Sequence, residues 1–341
     1  MPNRATLPIS VVIPTYNGAA TLARTIATVH AQSRLPSEII VVDDGSKDDS
    51  ALIAERLGCR VIRQQNRGLC GARNAGIAAA TTPWIALLDH DDVWATTKLE
   101  HQWGAHQAFP SAVLIATDAR KVTPTGDVLT ASFARVDDKG YERLPVDEQS
   151  GNYRLHRAAA DNLHQCGWFL LPSAVLARRD ILLDVGAFDE RVARNEDVCC
   201  FLRMLMQGPL AFVDDPLTDW VIHGENTHLD ERRMVQGRLA LLDVALGEPA
   251  FLPPAYLQML RDEEPSMCMR VGRLEMERGS LPDARHALGR AIAAGAGMRA
   301  RAMWIATWLG PALLTRLMHV RHFAQDSKEQ TASRHADGRE S

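Results

Sequence analysis

The stretch Trp84 to Trp94, WIALLDHDDVW, runs five apolar residues straight into three aspartates. A strand covered on both faces is continuously apolar rather than alternating, so Trp84 to Leu88 is predicted as an interior strand of a parallel sheet. The chain before it alternates between strand and helix signals. Ile9 to Ile13 is a β-branched strand stopped by Pro14, and Leu22, Ile26 and Val29 recur at helical spacing. Glu38 to Val42 is a second strand ending in Asp43 and Asp44. A capping-box pattern, Ser46 with Asp49, opens a helix through Ala51 to Leu57 that Gly58 closes. Arg60 to Arg63 is a third strand. Gln65 to Gly71 is a loop hinged at Gly68 and Gly71, and Ala72 to Ala80 is a small-residue helix. A helix over Lys98 to Phe109 and a strand over Ala112 to Ala116 continue the pattern. The alternation predicts a doubly wound α/β sheet.

Open sheets of this kind bind ligands at the C-terminal ends of their strands, which is where Asp89, Asp91 and Asp92 fall. Packed acids repel one another, and a hard divalent cation such as Mg²⁺ or Mn²⁺ relieves the repulsion. The competing reading is a polar turn that caps the next helix. A GxGxxG turn after the first strand is absent, as is GxxxxGK[ST], which disfavours classical dinucleotide sites and P-loops. The net charge of −4 excludes a nucleic-acid binder that relies on bulk positive charge. The six cysteines form no CxxC pair. Cys199 and Cys200 read as buried thiols, and a reducing, cytoplasmic setting is expected. MPNRATLPIS lacks a signal-like apolar core, and no run reaches the roughly 20 apolar residues of a membrane span.

The second half is less regular. Ala119 to His164 is polar, carries Asp137, Asp138 and Lys139, and reads as an irregular excursion of the lid or binding-loop kind. Gly167 to Ala177 is predicted as strand and Arg179 to Leu183 as a short helix. Asn195 is the expected N-cap of a helix whose apolar face is Val198, Phe201, Leu202 and Leu205. Glu196 and Asp197 then occupy its first turn, either as acids favoured by the helix dipole or as a general base at the sheet edge. Leu210 to Val213 is a last strand. His223, near Asp219, Trp220, Asn226 and His228, is either a metal or phosphate contact or a structural residue. From about Met234 the chain turns helical, and Arg273 to Ala294 is an αα-hairpin that resembles one tetratricopeptide-type unit. Met303 to Met318, with Trp304 and Trp308, either lies at a membrane surface or packs on that hairpin. The expected division is a catalytic domain over 1–232, with 119–165 as an acceptor-side excursion, a helical extension over 233–323 and a disordered tail over 324–341.

Five motifs occur in one order: VVIPTYNG, VVDDGS, NRGLCGARNAGI, LLDHDDVW and NED before a helix. Together they resemble family 2 glycosyltransferases, inverting GT-A fold enzymes that use nucleotide-sugars, over about Pro8 to His228. The resemblance implies that Pro14, Thr15 and Tyr16 line the base and ribose. It implies that Asp44, with Asp43 beside it, contacts the base, and that Arg73 lies near the diphosphate or base. By the same resemblance Asp89 faces the ribose and the metal, Asp91 holds the metal with Asp92 adjacent, and His223 completes the metal or phosphate site. Asp197 would be the base, with Glu196 as its partner in the ED pair. The implied cofactor is Mn²⁺ or Mg²⁺. The implied partners are a nucleotide-sugar donor, with UDP-sugars favoured, and a saccharide, lipid-linked or protein acceptor, with no nucleic acid. His90 stands where such enzymes often have a small residue. A QxxRW motif is missing, which implies transfer of single sugars.

Two other classes fit parts of the pattern. A nucleotidyltransferase shares carboxylate-held metal but wants a GxGxR-type loop and a lysine after the first strand, where this chain has PTYNG. A non-catalytic nucleotide-sugar-binding scaffold would not need the intact Asp89, Asp91 and Glu196-Asp197 set.

Overall fold

A computed structural model of the chain describes residues 6–135, 140–192, 194–224, 230–248 and 250–308. Within them the elements run β1 (Thr6–Thr15), α1 (Leu22–His30), β2 (Leu35–Asp43), α2 (Ser50–Arg56), β3 (Arg60–Arg63), α3 (Gly68–Ala79), β4 (Trp84–Leu87), β5 (Val93–Trp94) and α4 (Lys98–Ala108). They continue with β6 (Leu114–Val122), β7 (Val128–Thr130), β8 (Glu148–Ser150), β9 (Tyr153–His156), α5 (Ala159–Asn162), β10 (Val175–Arg178), α6 (Arg179–Asp184), α7 (Glu196–Leu205) and β11 (Leu210–Val221). Helices α8 (Glu231–Gly247), α9 (Pro254–Glu277), α10 (Leu281–Ala293) and α11 (Met298–Ala306) follow.

All the described strands belong to one sheet with the main order β3-β2-β1-β4-β10-β6-β11-β9-β8, β5 pairing with β11 and β7 with β6. Strands β3, β2, β1 and β4 are mutually parallel, so their C-terminal ends share one edge. Strand β10 runs antiparallel to both neighbours, β4 and β6, while β6 and β11 are parallel. The central strands are covered on both faces. Ile9, Val11, Val12, Ile13, Ile85, Ala86 and Leu87 are all fully buried, as their unbroken apolar runs require.

Several local expectations are corrected. Helix α3 starts at Gly68, a turn earlier than the glycine pair suggested; Gly68 takes φ +76°, and the chain is helical from there. Ser46 does not cap α2: Asp49 occupies that position, while Ser46 Oγ accepts the Asn17 N–H and the Ser46 N–H donates to Asp43. The predicted strand over Gly167 to Ala177 shrinks to Val175–Arg178, because Pro172 starts a 3₁₀ turn over Pro172–Ala174. Asn195 does precede α7, but in left-handed backbone at φ 61°, and its amide donates to the Met234 carbonyl instead of capping the helix. The excursion after Ala119 carries regular structure, since β6 runs to Val122 and β7, β8, β9 and α5 follow. Strand β11 likewise continues eight residues past Val213 to Val221. Asp137, Asp138, Lys139, Asn226 and His228 lie outside the described residues.

The chain divides into two compact units, Met1–Met259 and Leu260–Ser341. In the second, the αα-hairpin forms with Leu288 of α10 seated against Gly272 of α9 and Arg290 paired with Glu264 at 2.7 Å. Trp304 and Trp308 meet edge to face at 5.7 Å, and the Arg285 guanidinium lies 4.3 Å over the Trp308 ring, which stays 61% exposed. Residues 309–318 of the amphipathic stretch, and the tail from 324, lie outside the described residues.

Candidate active site

The sheet brings the first two motif loops together by register. Thr15 is opposite Asp43 in the β1–β2 pair, and the Asp44 N–H donates to the Thr15 carbonyl at 2.9 Å. Asn17 and Gly18 are tied across to Ser46 and Ser50 by hydrogen bonds of 2.9 Å. Pro14 and Thr15 are buried, and Tyr16 is 45% exposed at the loop tip. The buried Thr15 hydroxyl oxygen makes no hydrogen bond among the described residues. Asp43 and Asp44 are both buried; Asp44 Oδ1 accepts from Gln64 at 2.6 Å and from the Arg67 N–H at 2.8 Å. The result is a polar shelf at the C-terminal ends of β1 and β2.

Gly18 joins this shelf to the acid-rich loop. A Cβ there would stand 2.5 Å from Thr15 Oγ1 and 2.6 Å from the His90 ring, so the position tolerates no side chain. His90 therefore packs back over the first loop. Helix α1 grips the same segment, as Thr25 Oγ1 donates to the His90 carbonyl at 2.8 Å and to the Asp92 carbonyl at 2.9 Å.

Arg73, on α3, is the hub. Its side chain is 1% exposed. Nη2 donates to Asp89 at 2.8 and 3.1 Å, Nη1 donates to Glu196 at 2.8 Å, and the guanidinium lies 5.0 Å over the Phe188 ring. The two carboxylates hold its pKa above the usual arginine value despite burial that pulls the other way. One cation thus brings the β4 loop and the start of α7 to a single point and pairs with both Asp89 and Glu196 there, which leaves the trio with one net negative charge.

Asp197 is left in a different setting. It is half-buried and accepts from neutral donors, Trp168 Nε1–H at 3.2 Å and the Val198 N–H at 2.8 Å. Burial, reinforced by the Glu196 charge, pushes its carboxyl up to about 7. The apolar face of α7 anchors this corner, with Val198, Phe201, Leu202 and Leu205 all buried at ~1.5–3 kcal/mol each.

Asp91 meets His223 on the other side of the loop, with Oδ2 and Nε2 2.8 Å apart and both side chains part-exposed. Among the described residues no group of three or more His, Cys, Asp or Glu is gathered for a metal. A single carboxylate such as Asp91 fits a site completed by substrate phosphates, the way Mg²⁺-type ions are commonly held, with the His223 nitrogen beside it. Asp89 is tied to Arg73.

Asp92 is not a simple turn cap. It is buried, accepts from Ser173 Oγ at 2.5 Å and from the Val221 N–H at 3.1 Å, and burial next to Asp91 and Asp89 drives its pKa well upward. Ser173 and Trp168 escaped sequence reasoning. Both sit in a segment read as plain strand, and a serine or tryptophan there carries no spacing signal.

Solved structures share this frame. S. aureus TarS 1-349 in complex with UDP superposes with a TM-score of 0.60 at 17% identity over 89% of each chain. The mannosyltransferase PcManGT from Pyrobaculum calidifontis, in complex with GDP-Man and Mn²⁺, gives 0.53 at 20% identity, covering 91% of this chain and 83% of that one. The fold is that of the GT-A glycosyltransferases, extended by C-terminal helices. The profile of glycosyl transferase family 2 matches residues 10–180, and the chain belongs to that family. An uncharacterized glycosyltransferase of Nostoc sp. is 31% identical over 65% of this chain and 67% of its own length. The succinoglycan biosynthesis protein ExoO of Rhizobium meliloti is 37% identical over 63% of this chain and 60% of its own. The matched region thus spans about two thirds of these relatives.

Proposed function

We propose that the protein is an inverting, metal-dependent transferase that moves a single sugar from a nucleotide-sugar to an acceptor hydroxyl. The observation that carries this reading is the division of labour among the acids. Arg73 is ion-paired with both Asp89 and Glu196, while Asp197 accepts from the neutral Trp168 and Val198 N–H groups, and burial together with the Glu196 charge pushes its carboxyl up to about 7. A base poised near the working pH combines the right protonation state with a useful driving force. In the proposed reaction Asp197 takes the acceptor hydroxyl proton as that oxygen bonds to the anomeric carbon. The bond from that carbon to the diphosphate oxygen breaks on the opposite face, and the electron pair leaves with the nucleoside diphosphate. One displacement inverts the configuration.

Pro14, Thr15, Tyr16, Asp43 and Asp44 form the shelf for base and ribose, with Asp89 toward the ribose. Asp91 and His223 are the residues that would hold Mn²⁺ or Mg²⁺. Such an ion, when bound, offsets the charge that grows on the leaving diphosphate. Solved relatives of the fold carry UDP, UDP-GlcNAc or GDP-Man with Mn²⁺, which supports a nucleotide-sugar donor without choosing the nucleotide. The name of ExoO supports a glycan-building role. The acceptor is then a saccharide or lipid-linked saccharide, and a peripheral membrane contact through 303–318 would suit the latter. None of the described helices is long and apolar enough to cross a membrane.

The test is a thermal-shift screen of UDP-, GDP- and dTDP-sugars with Mn²⁺, followed by assay of nucleoside diphosphate release. A donor that binds the native state raises its melting temperature. Metal-dependent release from that donor supports the transferase. Binding without release under all acceptors would mark a binding module instead, and a chain that binds no donor would overturn both.

A further inference from the structure

The two groups assigned to the cation come from distant parts of the chain, and their 2.8 Å meeting needs an explanation. Asp91 sits in a short turn after β4, and His223 lies two residues beyond the end of β11. Strand β5 pairs with β11 at Thr218 and Asp219, and the tie closest to the two side chains is made by Asp92. One of its carboxylate oxygens accepts the Val221 N–H of β11, and the other accepts the Ser173 hydroxyl. Ser173 Oγ in turn accepts the Asp89 N–H at 3.0 Å. A residue two positions from each metal-facing side chain is therefore bound to one buried carboxylate–hydroxyl pair.

Ser173 is itself immobilised from behind. Its carbonyl accepts from Trp94 Nε1–H at 2.7 Å and from the Thr218 hydroxyl at 3.3 Å. The next carbonyl, of Ala174, accepts from Gln102, whose own oxygen is held by the fully buried Lys98 ammonium, which also lies 4.1 Å over the Trp94 ring. Ser173, Asp92, Lys98 and Gln102 are all at most 4% exposed. Fully satisfied buried networks of this kind specify one arrangement, because any displaced member loses a partner without gaining water.

We propose that Ser173 and Asp92 form a positioning clasp that sets the spacing of Asp91 and His223 and hence the affinity of the site for its divalent cation. The clasp rests on the reading of Asp91 and His223 as cation-facing residues. Its two members touch neither donor nor acceptor. They act through the backbone on either side of the site.

The test is Mn²⁺ binding, followed by the EPR signal of free Mn²⁺ in the presence of whichever of UDP and GDP stabilises the wild-type protein more. Outer-shell partners of metal ligands typically matter by about 10–100-fold in affinity, and Ser173→Ala is expected to weaken Mn²⁺ binding within that range. Ser173→Thr keeps the hydroxyl and is expected to restore most of it. Asp92→Asn provides a second route if Ser173→Ala fails to fold, since an amide still accepts from Val221 while its other end can no longer accept the Ser173 hydroxyl. The variants should raise KM for the donor more than they lower kcat. His223→Ala separates the two levels of the claim. If it leaves Mn²⁺ binding at the wild-type level, the cation reading of the pair fails and the clasp with it. If His223→Ala weakens binding while folded Ser173→Ala or Asp92→Asn binds Mn²⁺ as wild type does, the clasp alone is overturned.

Discussion

Arg73 Nη1 lies 2.8 Å from Glu196 Oε1, a buried ion pair joining residues 123 positions apart. The same guanidinium reaches Asp89 through its other terminal nitrogen. Removing one partner of a buried pair leaves an uncompensated charge and costs ~3–5 kcal/mol. Arg73→Ala strands two carboxylates at once, so its urea midpoint should fall well below that of the wild type. Arg73→Lys keeps the charge but cannot present a planar fork to both acids. It should fall between the two in stability and lose transfer activity. A wild-type midpoint for the alanine variant would contradict the hub.

Replacing the candidate base gives a sharper reading. Asp197→Asn should cut kcat by about 10²–10⁴-fold while leaving donor affinity unchanged. In the wild type, kcat/KM should rise with pH through a midpoint near the Asp197 value of about 7, because only the carboxylate accepts the proton. The variant should lose that limb.

The same carboxyl links activity to stability. Its folded pKa is raised, so the native state holds the proton more tightly than the unfolded chain does. That contribution is full below the unfolded value and is lost as pH rises through about 7. At pH 8 the wild type therefore carries a charge its surroundings disfavour. Asp197→Asn should melt higher than the wild type at pH 8, with the gap closing toward pH 5. Differential scanning calorimetry across that range checks the sign.

Trp168 offers a graded perturbation of the base. Its indole N–H favours the charged form of Asp197, and its ring stacks near Phe201 at 6.4 Å. Trp168→Phe keeps an aromatic ring and deletes the donor. The acid limb of the pH–rate profile should move to higher pH. An unmoved limb with reduced kcat would point to packing rather than to proton affinity.

The first loop has no room for change at Gly18. Gly18→Ala sets a methyl group 2.5 Å from Thr15 Oγ1 and 2.6 Å from the His90 ring. Overpacking of this kind typically costs ~1–3 kcal/mol. Because the displaced groups border the nucleotide shelf, donor KM should rise, and isothermal titration with UDP or GDP would register it.

The strand-and-helix alternation through Ala116 was readable because both faces of the central strands are covered and their apolar runs are unbroken. Ile9 to Ile13, Glu38 to Val42 and Arg60 to Arg63 all fall in strands of the structure. The second half was harder for a physical reason. Strand β10 is only four residues long, and the five residues from Gly167 to Leu171 before its 3₁₀ turn are apolar enough to mimic strand. Past Val213, β11 carries Asp214, Asp215 and Pro216 through two register irregularities, a pattern that reads as loop. Local chemistry also marked the acids without assigning them. Glu196 and Asp197 are adjacent, and what distinguishes them is that Arg73 pairs with Glu196 while Trp168 donates to Asp197. Asp92 resembled a turn residue until its partners Ser173 and Val221, drawn from 81 and 129 positions away, were seen.

The contact between Asp91 and His223 closes a span of 132 residues. Closing so long a loop adds only a logarithmic entropy cost, and the pair can form only once β11 has been made. During synthesis Asp91 leaves the ribosome long before His223, and everything from α4 to β11 must be made in between. The Asp91–His223 pair therefore cannot form on a chain that ends before β11. Donor that binds the finished protein draws molecules out of the unfolded pool, so cellular levels of the enzyme should follow the supply of its own substrate.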